Sequence, residues 1–269
     1  MLLAQITDLH MRADETPLSG AIVTRPYTIA AVDALNALRP DAVVITGDLT
    51  DIGTDAEYAL LRAELERLTM PIYLIPGNHD RRAELRAAFA DHAYLPSEGP
   101  LQWVVDDHPV RLIGLDSVIP GASHGEVTTD SLAWLDATLA ADPRPTIVAI
   151  HHPPFPTGIA SMDQIGCRNG EALGQVIARH PHVARVIAGH HHRPVQILWR
   201  GTLGIIAPSI AHQVALDFEL AEIASWILEP PAMLLHRWTE SSGIVTHMAY
   251  IGAFDGPHKF NLDPAYPGA

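Results

Sequence analysis

The first ten residues decide the reading of this chain: Met1-Leu2-Leu3-Ala4-Gln5-Ile6-Thr7-Asp8-Leu9-His10. An apolar run of strand length stops abruptly at two residues that ligate metals. The same pattern recurs four times along the chain. Ala42-Val43-Val44-Ile45-Thr46 leads into Gly47-Asp48, and Ile72-Tyr73-Leu74-Ile75-Pro76 leads into Gly77-Asn78-His79-Asp80. Thr146-Ile147-Val148-Ala149-Ile150 leads into His151-His152, and Ala184-Arg185-Val186-Ile187-Ala188 leads into Gly189-His190-His191-His192. In open α/β sheets, chemistry gathers outside the carboxyl ends of the strands. Five such turns predict one cluster of Asp, Asn and His built from distant parts of the chain. That composition fits two metal ions and a hydrolytic reaction.

Working outward, the intervening segments read as helices. Residues 27–39 place Ile29, Val32, Leu35 and Leu38 at helical spacing, with Pro40 as the stop. Thr54-Asp55-Ala56-Glu57 matches a capping box before a helix reaching about Leu68. A short helix is expected at 81–90, and another from Thr129 to about Ala141 with Leu132, Leu135 and Leu139 on one face. Residues 101–105 and 110–115 read as strands. Residues 153–168, rich in Pro and Gly, read as a loop near the site, followed by a helix at 169–180. After Pro194 the texture changes to short strand-like runs at 195–199, 203–207, 233–238 and 244–250 without helices between them. The expected architecture is α/β for two thirds of the chain and mostly β afterwards. The expected division is a catalytic domain over 1–214 and a cap or dimerisation segment over 215–269.

Bulk composition narrows the partners. The 269 residues are enough for a full core. With 17 basic against 31 acidic residues the net charge is −14, which argues against binding long nucleic acid through its phosphates. A small phosphate substrate stays open, because bound metals would set the local field. Cys167, the single cysteine, excludes an internal disulfide and fits a reducing compartment. No apolar run is long enough to span a bilayer, and the N-terminal apolar stretch is interrupted at Asp8. A cytoplasmic protein without a membrane partner is expected. Of the 16 histidines, His92, His108, His180, His182, His236 and His258 lack ligand-like neighbours and read as ordinary structural residues.

The chemistry follows from the donor types. Asp8-x-His10 and His190-x-His192 would place paired donors on one side if the backbone there is extended. Asp48, at a turn, can bridge two ions, and Asn78 offers a neutral carbonyl oxygen. Singly, each piece has a bland alternative: a turn carboxylate, a satisfied histidine, a solvated surface run. Jointly, at five strand ends, the metal reading prevails. Two aspartates against two divalent ions leave a formal charge of about +2, or about +1 with a hydroxide bridge, suited to one diester anion.

Taken together, Asp8-x-His10, Gly47-Asp48-x-x-Asp51, Gly77-Asn78-His79-Asp80, His151 and Gly189-His190-x-His192 resemble the signature of the calcineurin-like metallophosphoesterases over roughly residues 1–192. The start of the chain, the segments 74–82 and 151–163, and Ser209-Ile210-Ala211-His212-Gln213 are similar to bacterial glycerophosphodiesterases and class III cyclic-nucleotide phosphodiesterases. The resemblance implies a four-layer α/β/β/α sandwich. It implies one ion on Asp8, His10, Asp48 and His192, and a second on Asp48, Asn78, His151 and His190. It also implies His79 as a donor or general acid at the substrate phosphate, with Asn78 and His212 beside it, and association into a homo-oligomer. The implied activity is hydrolysis of small phosphodiesters by attack of a metal-bound hydroxide on phosphorus. A monoesterase and a non-catalytic scaffold are the alternatives. Four His and no thiolate in the set favour Fe, Mn, Zn or Co. Asp80 is the expected orienting partner of His79. Where protein Ser/Thr phosphatases carry an Arg after the second Asp of the Gly47-Asp48 motif, this chain has Ile52, and Asp80 stands in place of their Glu. Both differences argue against a protein phosphatase, and the missing cation suits a diester monoanion better than a monoester dianion.

Overall fold

The computed structural model describes residues 1–14, 16–219 and 224–258. The first half alternates strands and helices: β1 (Leu2–Ile6), α1 (Arg25–Leu38), β2 (Ala42–Thr46), α2 (Asp55–Leu65), β3 (Ile72–Ile75) and α3 (Arg82–Ala88). Next come β4 (Trp103–Val105), β5 (Arg111–Leu115), α4 (Thr129–Ala141), β6 (Thr146–Ile150), α5 (Ala160–Asp163), α6 (Gly170–Ala178) and β7 (Val183–Ala188). The remaining elements are strands: β8 (Val195–Trp199), β9 (Thr202–Ile206), β10 (Gln213–Val214), β11 (Trp226–Ile227), β12 (Ala232–Thr239) and β13 (Gly243–Tyr250). No helix among the described residues is long and apolar enough to cross a membrane.

Local chemistry sets the helix ends. The capping box is present: the Thr54 hydroxyl accepts from Glu57 N at 3.3 Å, and the Glu57 carboxylate accepts from Thr54 N at 3.1 Å. This helix ends at Leu65 rather than Leu68, because Arg67 N and Leu68 N turn back to carbonyls three residues earlier. The helix after Asn169 tightens in the same way at Arg179 and His180. The loop expected over 153–168 contains the short helix α5. Its turn is pinned by the Asp163 carboxylate, which accepts from Thr157 N, Thr157 Oγ1 and Gly158 N.

Two sheets carry the fold, with strand orders β13-β12-β1-β2-β3 and β4-β5-β6-β7-β9-β8. Alternation along the strands builds three apolar layers. Val43 and Ile45 of β2 pack toward α1 and α2 with Leu35, Tyr58 and Leu61. Ala42 and Val44 face the other sheet, meeting Trp103, Leu112, Ile147 and Ile187. On the far side of the second sheet, Val148 and Val186 pack on Leu135, Leu139, Leu173 and Ile177 of the outer helices. The result is helix, sheet, sheet, helix. The last two strands extend the first sheet, with β12 antiparallel to β1 from Leu2↔Arg237 to Gln5↔Leu234. The expected division at 214/215 therefore does not coincide with a sheet boundary. Residues 220–223 and 259–269, part of the expected cap, lie outside the described residues.

A buried polar chain ties the sheets together beneath the strand ends. Gln5 Nε2 donates to Thr46 Oγ1 at 3.0 Å and to the Ala188 carbonyl of the second sheet at 2.9 Å. Gln5 Oε1 lies 3.1 Å from His236 Nε2, and His236 Nδ1 lies 2.9 Å from Thr246 Oγ1. His236 thus bonds through both nitrogens, as a structural residue. Replacing Gln5 by Leu would leave His236 Nε2 and Thr46 Oγ1 buried without this partner. We expect Gln5→Leu to cost about 1–3 kcal/mol of stability. Urea denaturation with an unchanged midpoint would refute it.

Candidate metal centre

The five ligand-bearing turns meet at one end of both sheets, directly after β1, β2, β3, β6 and β7. The backbone there is not extended. Among the described residues eight non-glycines have positive φ, and five lie in these turns: Asp8 (56°), His10 (44°), Asp48 (48°), His190 (68°) and His192 (51°). Asp and His tolerate this left-handed region better than most side chains. The pairing of Asp8 with His10, and of His190 with His192, therefore comes from repeated left-handed turns and not from strand pleating. Two glycines permit the close approach. A Cβ on Gly189 would lie 2.8 Å from the Thr46 carbonyl and 2.9 Å from Asp8 Oδ2. One on Gly77 would collide with the Asp48 backbone and carboxylate.

The turns hold one another through charge-assisted hydrogen bonds. His190 N donates to both Asp8 oxygens at 3.1 Å, and His79 N donates to Asp48 Oδ1 at 2.9 Å. Ser209 Oγ donates to the Asp8 carbonyl at 3.0 Å, and Gln213 Nε2 closes back on Ser209 O at 2.8 Å.

Within this frame the donor atoms expected from the sequence fall in two sets, and His152 joins His151 and His190 with one donor atom each within 4.8 Å. In the first, Asp8, His10, Asp48 and His192 are buried and bring one donor atom each within 4.8 Å of the others. His192 Nε2 is 3.3 Å from Asp8 Oδ1, and His10 Nε2 is 3.6 Å from Asp48 Oδ2. In the second, His151 Nε2 is 3.4 Å from Asp48 Oδ2 and 3.2 Å from Asn78 Oδ1. The His190 ring lies 5.1 Å from that of His151. Asp48 borders both groups.

Outer contacts assign the ring protons. Nδ1 of His10 faces Asp51 Oδ1 at 3.3 Å, that of His151 faces the Thr46 carbonyl at 2.7 Å, and that of His192 faces the His212 carbonyl at 3.0 Å. His190 bonds through Nε2 to the Ile165 carbonyl at 3.0 Å. Each acceptor fixes its partner nitrogen as N–H and leaves the other nitrogen with a lone pair. Nε2 of His10 and of His192 then face each other at 3.3 Å, lone pair to lone pair. Without a cation between them that contact is repulsive, so the donor set fits a positive ion. Burial alone would push the Asp48 carboxyl up. The surrounding His151, His79 and His10 hold it well below the usual carboxylate range, ready to ligate.

His79 lies outside the two ligand sets but converges with His10 and Asp51 in a further, less buried group, with one donor atom each within 4.8 Å of the others. Its Nδ1 donates to the Asp51 carbonyl at 2.7 Å, and its side chain is 38% exposed. Burial draws its pKa down, but Asp48 and Asp51 outweigh that and raise it. Asp80 is not its partner. The Asp80 carboxylate turns inward to Leu49 N, Thr50 N, Gly77 N and the Tyr58 hydroxyl. Burial and neighbouring Asp48 push its carboxyl up to about 6. The orienting residue is Asp51, which also holds His10 and accepts from Arg12 at 3.0 Å. Its place in the Gly47-Asp48-x-x-Asp51 motif is the signal for it. The sequence reading also left His152 without a role. It is buried, its ring 4.7 Å from that of His190, with Nδ1 2.8 Å from Ser117 Oγ.

A cavity of about 280 Å³ opens over the donors, lined by His10, His79, His190, His192, His212 and Trp226 among others. The His212 ring sits 4.5 Å from that of His192, edge to face, and so borders the cavity. No Lys or Arg is among its described lining residues.

Comparison with known proteins agrees with this geometry. Residues 1–194 match the model of the calcineurin-like phosphoesterase family. The chain is 36% identical to a probable glycerophosphodiester phosphodiesterase, GpdQ, of Arcobacter nitrofigilis over 97% of both chains. It is 32% identical to the 3',5'-cyclic adenosine monophosphate phosphodiesterase CpdA of Escherichia coli K12, covering 78% of this chain and 76% of that one. Among solved structures, a dimetal phosphatase from Danio rerio superimposes with a TM-score of 0.67 at 17% identity, over 94% of this chain and 99% of that one. With the family's five motifs assembled around one buried Asp/His cluster, this chain belongs to the calcineurin-like phosphoesterases.

Proposed function

We propose that this protein is a dinuclear metal-dependent phosphodiesterase acting on small diesters, either glycerophosphodiesters or 3',5'-cyclic nucleotides. The observation that carries this reading is the convergence of lone-pair donors under a cavity with no Lys or Arg among its described lining residues. Asp8, His10, Asp48 and His192 would hold one ion. Asp48, Asn78, His151 and His190 would hold the other, with Fe, Mn, Zn or Co as the candidates. When bound, the ions would supply an activated water and neutralise charge developing at phosphorus. A cavity without Lys or Arg among its described lining residues suits the single charge of a diester better than the double charge of a monoester. The curated relatives named for diesterases support the same choice.

The protein side of the reaction falls to His79. With Nδ1–H committed to the Asp51 carbonyl, Nε2 is the nitrogen left to carry a second proton at the cavity. The raised pKa favours that doubly protonated form, which is what a general acid for the leaving oxygen requires. His212 would flank the substrate, and Asn78 would serve both an ion and the phosphate. A scaffold reading is disfavoured because every ligand position is filled. A cytoplasmic setting and self-association complete the proposal. The support for self-association is β13, an edge strand exposing Val245, Met248 and Tyr250.

Four outcomes are expected. Metal-reconstituted protein should hydrolyse bis-p-nitrophenyl phosphate faster than p-nitrophenyl phosphate, and Asp48→Ala should lose both ions and nearly all turnover. A monoester preference, or two metals per chain retained in Asp48→Ala by elemental analysis, would contradict the assignment. His79→Ala should keep its metals and lose about 10²–10⁴-fold in rate, less for acidic phenol leaving groups. Equal losses across a leaving-group series would assign His79 to phosphate binding instead. Light scattering at micromolar concentration should give a mass above the monomer, and a monomeric mass would sink the self-association.

A further inference from the structure

A second opening adjoins the metal centre. A groove of about 610 Å³, roughly twice the cavity over the donors, runs away from it and shares Asn78 and His79 with it. Ile52 lines it from one side, and Val118 and Pro120 come from the loop after β5. Ile52 is 46% exposed, an apolar side chain left facing solvent. Charged side chains complete the lining: Arg81 and Arg82 against Asp51, Asp80 and Glu84.

The groove is built before any ligand arrives. Arg82 clamps the loop after β5 by donating to Asp116 at 2.5 and 2.7 Å and to the Val118 carbonyl at 2.6 Å. Asp116, buried, also accepts from Leu101 N and Val118 N. Arg81, next in sequence, is used differently. Its stem crosses Gly53, where a Cβ would come within 3.1 Å of Arg81 Cδ. Its guanidinium has no hydrogen-bond or ion-pair partner among the described residues. A planar cation beside aliphatic side chains is a surface on which a flat ring stacks.

The chemistry of this lining discriminates between the two substrate classes left open above. A glycerol arm is small and hydroxylated all round, and gains nothing from Ile52, Val118 and Pro120. A nucleoside arm presents flat apolar faces with a polar edge, which matches aliphatic walls plus Arg81 as plane and Glu84 as acceptor. Resting on the phosphodiesterase reading, we propose that this groove receives the nucleoside arm of a nucleotide diester whose phosphate lies beside Asn78 and His79. Ile52 and Arg81 are then specificity-determining residues, and the protein prefers cyclic nucleotides to glycerophosphodiesters.

The test is a ratio, so that metal loading cancels: kcat/KM for 3',5'-cyclic AMP over kcat/KM for glycerophosphoethanolamine. The ratio should exceed one in the wild type. It should fall roughly 10-fold, chiefly through KM for cyclic AMP, in Ile52→Asp and in Arg81→Ala, the scale of a lost pocket contact. Leu198→Asp, on the exposed strand β8, is the surface control and should keep the ratio. A wild type active only on glycerophosphoethanolamine overturns the assignment of the groove and leaves the diesterase reading standing. An unchanged ratio in both groove variants overturns it too. A wild type inactive on every diester overturns both.

Discussion

The constraint on which the rest depends is the reach of one backbone N–H across two sheets. His190 N, at the end of the second sheet, donates to the Asp8 carboxylate at the end of the first. That contact is possible only because Gly189 has no Cβ to strike Thr7, Thr46 and Asp8. The two sheets are thereby held strand end against strand end, and the apolar layer packed between them fixes the distance. His79 N on Asp48 does the same within the first sheet. Ligand side chains are thus anchored by main chain belonging to other ligand turns. The centre is mutually braced, and disturbing one turn is transmitted to its neighbours. Left-handed backbone at five of these positions stores strain that such bracing must outweigh.

Much of this was legible in the sequence because the same signal occurs five times. Strand-length apolar runs ending in Gly, Asp, Asn or His gave the strand positions, the location of the site and its composition. The four layers came with the family resemblance, and the alternation of strands and helices is consistent with them. Contacts that depend on three-dimensional direction were not legible. The pleat argument for Asp8 and His10 failed because the strand ends at Ile6 and each ligand sits in a left-handed turn. Adjacency suggested Asp80 as the partner of His79, whereas the loop carries Asp80 inward and brings Asp51 to it. His152 and Ser117 meet across two strand ends and share no sequence pattern.

Electrostatics give the centre its polarity. The chain is strongly acidic overall, yet five imidazoles line the cavity and Asp48 is the one carboxylate among its described lining residues. Carbonyls and Asp51 occupy the outer nitrogens of the ligand histidines, so the inner lone pairs have no competing protein partner. The field at the substrate is therefore set by what those lone pairs hold, and the net charge of the surface matters little at this range.

The buried chain Ala188–Gln5–His236–Thr246 has a consequence for modularity. The segment by which this chain is recognised as a family member ends at residue 194, whereas the hydrogen bonds beneath the ligand turn continue into strands some forty to fifty residues later. The portion of sequence that marks ancestry and the portion that must be present for the centre to assemble are different lengths. A fragment cut at the recognised boundary would expose the open flank of β1 and strand Gln5 without its imidazole. The C-terminal strand pair is therefore continuous, through buried hydrogen bonds, with the sheet that carries the first ligand turns.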